Sequence, residues 1–308
     1  MSRFEALLSL TCASIIVGST LLISRMISTG ESIYCLQLLS MLIAGVILFA
    51  LVGKNKIIEE LKSAGPRDYK IFFLQTLSGV VLFRVFVIYG VSLTKAMDAG
   101  VIMSLTPIMT VVLSVIFLKE KLGKLELMAL PCAFAGVLII NLNGIYDSAP
   151  GSMRLIGNLM VLLAVLGESG FVIFSKKTST EISPLIRSFL VCIFAICLFF
   201  PFSIYELTQG YSFLKDLDFW LLTLYTGVVL TVIAYILWFR GIVHVNGTTA
   251  GVFSSLVPLS AIVLVFIFLG EVITKLQLTG LIFILTAVGL IVFSKEQKKS
   301  VSDETGMH

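Results

Sequence analysis

Residues 99–107 read AGVIMSLTP and residues 250–258 read AGVFSSLVP, so a stretch of this chain is written twice at a constant offset of 151. Ala99/Ala250, Gly100/Gly251, Ser104/Ser255, Leu105/Leu256 and Pro107/Pro258 are identical. Beyond the prolines, Phe117, Leu118, Glu120, Lys124, Leu125 and Leu127 return as Phe268, Leu269, Glu271, Lys275, Leu276 and Leu278. Each copy reads as an apolar helix with an internal proline, closed by an acidic turn before the next helix begins. Internal symmetry of this kind in an apolar chain points to a secondary transporter, whose site lies between the two copies.

Composition names the solvent. With 58% hydrophobic residues, 13% charged and a mean hydropathy of +1.06, the chain lies far from soluble usage, where about a quarter of residues are charged. It belongs in a bilayer. The net charge of +4 comes from basic residues placed singly or in pairs between apolar runs, without an aromatic-interleaved basic face, which excludes a nucleic-acid partner. There is no P-loop, Gly-rich nucleotide fingerprint, HExxH or loop-borne nucleophile with a base, so the reading is not an enzyme and needs no cofactor. Cys12, Cys35, Cys132, Cys192 and Cys197 fall inside apolar runs without CxxC spacing and are expected as free thiols. His244 in a short loop and His308 in the tail make no metal cluster, and no metal site is expected.

A membrane-spanning helix needs about 20 predominantly apolar residues. That criterion predicts ten transmembrane helices, at 4–27, 32–53, 70–92, 97–118, 124–143, 153–176, 184–206, 219–242, 247–269 and 275–294. The fold class is an all-α integral membrane protein of two five-helix repeats, residues 1–148 and 149–296, with a polar tail at 297–308. The first run is too long for a signal-peptide core and lacks an A-x-A site, so it is expected to be retained. With both termini cytoplasmic, the inner segments hold Arg3, Lys54, Lys56, Lys62, Arg67, Lys70, Lys119, Lys121, Lys124, Lys176, Lys177, Arg187, Arg240, Lys295, Lys298 and Lys299. The outer ones hold only Arg25, Lys95, Arg154, Lys215 and Lys275. This bias sets the orientation. Five helices per unit is an odd number, so the second repeat is inverted.

The run YGVSLTKAMDAGVIMSLTPIMTVVLSVIFLKEKL (89–122) and its echo FRGIVHVNGTTAGVFSSLVPLSAIVLVFIFLGEVI (239–273) resemble the proline-plus-glutamate repeat of the EamA branch of the drug/metabolite transporter superfamily. The resemblance covers essentially the whole chain and implies the ten-helix fold of that superfamily. It also implies a small-molecule substrate, such as an amino acid, sugar, nucleoside or organic cation, carried across a bacterial inner membrane, usually outward. Many members couple to protons or work by exchange. Two positions depart from the pattern. The Trp-Gly pair common in the first helix is Val17-Gly18 here, and the corresponding position in helix six is Glu168, again 151 residues on.

The informative residues are those that break the repeat. Arg84 lies inside the third helix, and its mate at the offset is Tyr235. Glu168 lies inside the sixth. A charge near the centre of a span costs about 2.5–3.5 kcal/mol on insertion scales, so both are candidates for substrate binding, and Glu168 for proton coupling as well. The bland alternative is that they pair with each other or cap broken backbone. Ser19 and Thr20, beside Gly18, line a cavity or bond back to their own helix. Thr231, Tyr235 and Trp238 share one face of helix eight at i, i+4, i+7, a ligand wall or a packing stripe. Pro107 and Pro258 free a backbone carbonyl each and serve as hinges or helix breaks, or as plain kinks. Ala96/Gly100 and Gly247/Gly251 are small-xxx-small patterns for close packing. Glu120 and Glu271 are expected to cap the helix that follows each of them.

Together these residues suggest a carrier for a small polar metabolite, an amino-acid-like zwitterion, working as a proton-coupled exporter or exchanger. Arg84 would meet a carboxylate while Glu168 handles a proton, with lipid and protons as the other partners. An exporter of organic cations with Glu168 as counter-ion is the alternative on the same fold. A non-transporting scaffold or sensor is the alternative from another class. Substrate, direction and oligomeric state are not legible in the residues.

Overall fold

The computed structural model describes residues 3–27, 32–119, 123–142, 151–177, 182–242 and 256–305, and every regular element among them is helical. Lipid leaves the backbone little choice, since only helices and closed barrels satisfy each N–H and C=O without water. In chain order the apolar helices are α1 (Glu5–Ile27), α2 (Ile33–Val52), α3 (Pro66–Leu93), α4 (Ala96–Met103 with Thr106–Leu118) and α5 (Lys124–Leu142). They continue as α6 (Gly151–Lys177), α7 (Pro184–Gln209), α8 (Leu217–Gly241), α9 (Leu256–Leu269) and α10 (Lys275–Thr305). Six of them (α1, α2, α3, α6, α7 and α8) are long and apolar enough to cross a membrane, and the two halves of α4 together make a seventh. The apolar stretches of α5, α9 and α10 are shorter, between 10 and 17 residues.

Local chemistry explains where the boundaries move from their predicted places. Helix α3 starts at Pro66, four residues before the apolar run, because proline gives up no hydrogen bond in a first turn and Asp68 accepts from the Gly65 N–H at 3.2 Å. The link before it holds a short helix, Lys54–Ser63, with Ile57 buried, Lys54, Lys56, Glu59 and Lys62 exposed, and Glu60 partly covered. Hydropathy windows pass over an amphipathic element of this length. Helix α10 continues through the polar segment to Thr305, well past the predicted end at 294.

Contacts between helix ends show an antiparallel alternation. The end of α7 meets the start of α2 through Glu206, and the end of α1 meets the end of α3 through Arg25 and the carbonyls of Val91 and Thr94. The starts of α4, α6 and α10 converge there too, through Asp98, Arg154 and Gln277, so this is called the Arg154 end. At the opposite end, Glu60 beyond α2 accepts from the Ser183 N–H at the start of α7, 2.7 Å away.

Helices in lipid associate by close packing, which small residues permit. A Cβ on Gly18 would lie 1.9 Å from Ser260 Oγ and 2.8 Å from the Val257 carbonyl, so α1 and α9 touch backbone to backbone. The same contact recurs at the offset of 151: Ser169 of α6, the mate of Gly18, donates at 3.2 Å to the carbonyl of Thr106, the mate of Val257. The duplication therefore survives as duplicated packing. It also survives as duplicated irregularity: α3 is π-helical over Leu77–Leu82, and α8 over Tyr225–Ile233, a span containing the mates 228–233.

Candidate functional site

Arg84 lies two residues beyond the π-helical turn of α3, where the widened helix re-aims its side chains. It is 7% exposed, and its guanidinium donates to Gln37 Oε1 of α2 at 2.7 Å and to Thr231 Oγ1 of α8 at 2.9 Å. Thr231 sits in the π-helical segment of α8 and passes its own proton to the Thr226 carbonyl at 2.8 Å, five residues back. Both groups that receive the Arg84 protons are neutral oxygens. Arg84 also acts electrostatically on Tyr235 and on buried Cys192. Tyr235 stands in an aromatic group with Phe171 and Phe239, at centroid distances of 6.0 and 6.3 Å. The structure thus joins three of the predicted residues, Arg84, Thr231 and Tyr235. It adds Gln37, which carried no sequence signal beyond being an amide inside an apolar run.

Two further polar groups line up with the repeat. Gln75 Oε1 in α3 and Thr226 Oγ1 in α8 are buried with no hydrogen-bond partner among the described residues, and the two residues are mates at the offset of 151. A buried acceptor left unpaired costs about 1–3 kcal/mol, so polar groups at both mated positions are unusual in an apolar bundle.

Among the described residues no ion pair joins Glu168 to Arg84, so the pairing alternative gains no support. Glu168 Oε2 lies 2.8 Å from Thr106 Oγ1 at the bend of α4, and that hydroxyl lies 2.9 Å from the Met103 carbonyl. The two halves of α4 are bent by 43° across Ser104 and Leu105. Pro107 lies in the first turn of the second half, so the break precedes the proline; its missing N–H falls where a helix start has no use for one. Pro258 likewise lies in the first turn of α9, while residues 243–255 before it, with Gly247 and Gly251, lie outside the described residues.

Other expectations resolve locally. Ser19 interrupts α1, donates back to the Ile16 carbonyl at 2.7 Å and shares a 2.8 Å hydrogen bond with the Tyr225 hydroxyl. Thr20 and Trp238 are half-buried. Glu271 corrects an expectation. It caps α4 of the other repeat, accepting from the N–H groups of Ala96 at 3.3 Å and Met97 at 2.8 Å, not the α10 that follows it. The start of α10 has its own reciprocal cap, Thr274 with Gln277, at 2.7 and 3.3 Å, which leaves the carboxylate free for the neighbouring helix. Glu120, His244 and His308 lie outside the described residues.

A second buried guanidinium escaped the sequence reading, which counted Arg154 only as a surface charge. Arg154 is 5% exposed and grips Asp98 Oδ2 through Nε at 2.6 Å and Nη2 at 2.5 Å. Asp98, fully buried, also accepts from the Gln277 amide and, at 3.4 Å, from Thr94, whose hydroxyl lies 2.6 Å from Asn158 Oδ1. The available signal was an aspartate inside the AMDAGVIM run, an acid one turn into an apolar helix.

A bundle of long apolar helices with charged and polar groups buried between them, written in two copies of one unit, is the architecture of a multi-pass membrane protein. The chain belongs to the EamA-like transporter family, which matches residues 4–142 and again 155–293. It is 31% identical over 296 residues to the uncharacterized transporter YetK of Bacillus subtilis (strain 168), covering 96% of this chain and 89% of the relative. An uncharacterized transporter of Clostridium kluyveri is 26% identical over 263 residues, 84% of this chain and 82% of that protein. A solved crystal structure, 16% identical, shares the fold with a TM-score of 0.62 over 96% of this chain and 99% of that one.

Proposed function

We propose that the protein is a secondary carrier for a small carboxylate-bearing solute, an amino-acid-like zwitterion, which it moves across a bacterial inner membrane by alternating access of two inverted five-helix repeats. The observation that carries this reading is Arg84, a buried guanidinium whose hydrogen bonds go to neutral Gln37 and Thr231. A cation in hydrocarbon surroundings gains most from an anion, and the planar fork suits a carboxylate in two-pronged fashion. Tyr235 and its aromatic neighbours supply an apolar wall beside it.

In this reading all ten helices span, both termini are cytoplasmic, and the Arg154 end faces outward. Glu168 couples protons to export or exchange through Thr106. When ionised, the carboxylate takes the Thr106 proton. When protonated, it donates to Thr106 Oγ1, which then donates to the Met103 carbonyl at the bend. One hydroxyl serves one acceptor at a time, so protonation and the geometry of α4 are tied together. The organic-cation alternative is less favoured, because a positive guanidinium buried at the centre repels such a cargo.

Proteoliposome uptake of a labelled panel tests the substrate class: amino acids, their decarboxylated amines and quaternary organic cations. Carboxylate-bearing compounds should be carried and the amines of the same skeleton should not. Transport of the amines or cations in preference overturns the assignment. Orientation is checked with impermeant thiol reagents on intact cells expressing Lys62→Cys, Lys298→Cys or Asp147→Cys, of which only position 147 should label.

A further inference from the structure

The buried ion pair at the Arg154 end is more than a staple. We propose that Asp98, Arg154 and Gln277 form a latch that closes this mouth of the carrier and must part for solute to pass there. The inference rests on the alternating-access part of the reading above, though not on the identity of the solute.

The latch joins the copies to one another. Asp98 belongs to α4 in the first repeat, while Arg154 and Gln277 belong to α6 and α10 in the second. A contact within one copy would ride along when the copies rock, whereas this one lies across the moving boundary. Glu271 reinforces it, reaching from the turn before α10 to the first N–H groups of α4. Gln277 is held in the right sense by its own helix cap: its Oε1 accepts from the Thr274 N–H, which turns the Nε2 donor toward Asp98. Thr94, at the end of α3, completes the ring.

Chemistry suits the group to a gate. Desolvating two charges costs about as much as their attraction returns, so a buried pair holds shape with little net free energy. When the mouth opens, both charges are rehydrated and the loss of attraction is offset. An apolar seal of the same area would give no such balance and would trap one state.

Buried Cys192, within the field of Arg84 and Tyr235, is a native reporter of access to the centre. With Cys12, Cys35, Cys132 and Cys197 changed to serine, its reaction with an impermeant maleimide is followed in right-side-out and inside-out vesicles. Asp98→Asn and Arg154→Gln should each raise labelling from the side that the Arg154 end faces by about tenfold, as the closed state loses its differential contacts. The swapped pair, Asp98→Arg with Arg154→Asp, should bring it back down. Gln277→Leu keeps the ion pair but gives up the side-chain acceptor of the α10 cap, and in inserted protein it should give a smaller rise of the same sign. Unchanged labelling in inserted Gln277→Leu and Asp98→Asn proteins, with only a lower melting temperature, would make the cluster a clamp and overturn the latch. The substrate reading fails separately: wild-type transport by Arg84→Ala would sink it while leaving the latch result standing.

Discussion

Among the described residues two guanidiniums are buried, Arg84 and Arg154, and they are treated in opposite ways. Arg154 is met by the Asp98 carboxylate at 2.5–2.6 Å, so its charge is balanced within the protein. Arg84 is met by an amide and a hydroxyl at 2.7 and 2.9 Å, so its charge is hydrated by protein dipoles but not neutralised. The difference teaches where an anion is wanted. A balanced pair answers the question of its own burial, whereas a cation kept by neutral oxygens leaves a place for a partner that comes and goes.

The sharpest way to break the comparison is to remove each charge in turn. Arg154→Met strands Asp98 in the interior and should cost about 3–5 kcal/mol, read as a large drop in detergent melting temperature or in folded yield. Arg84→Met strands no opposite charge and should leave the melting temperature near or above wild type. Equal destabilisation by the two would show that Arg84 is structurally paired after all.

Next in size is transport. Arg84→Ala should lower uptake by about 100-fold, the worth of charge-assisted hydrogen bonds to a carboxylate, while insertion is preserved. Arg84→Lys keeps the charge without the fork and should fall by about tenfold. Glu168→Gln sharpens a different side: it should abolish uptake driven by a pH gradient while solute exchange continues, because an amide keeps the contact to Thr106 and cannot titrate. Persistence of gradient-driven uptake would remove the coupling role. The smallest effect belongs to the neutral partners. Gln37→Leu or Thr231→Val each removes one acceptor and should change apparent affinity by about fivefold, in line with about 1 kcal/mol per hydrogen bond.

Legibility followed the physics of each feature. Arg84 and Glu168 stood out because charge in a long apolar run is conspicuous on hydropathy alone. Gln37 did not, since one amide in a span has several innocuous explanations. Arg154 was misread because it lies near a predicted helix start, where a charge is ordinarily in water; only the packing of α4 and α10 over it makes it buried. Glu271 was assigned to its own sequence neighbour because capping rules are local, whereas the free N–H groups it serves belong to a helix about 175 residues away.

What the sequence determined by itself is the solvent, the helical fold and the duplication, because each is a property of composition or of period. Lipid forbids unpaired backbone, and a constant offset of 151 needs no coordinates to be seen. The tertiary structure alone decided which buried charge has a carboxylate and which does not. It also set the turns where α3 and α8 widen, and the place where α4 bends. These depend on which side chains from distant helices arrive at one point, and a pairing between residues 98, 154 and 277 is written only in the way the helices pack.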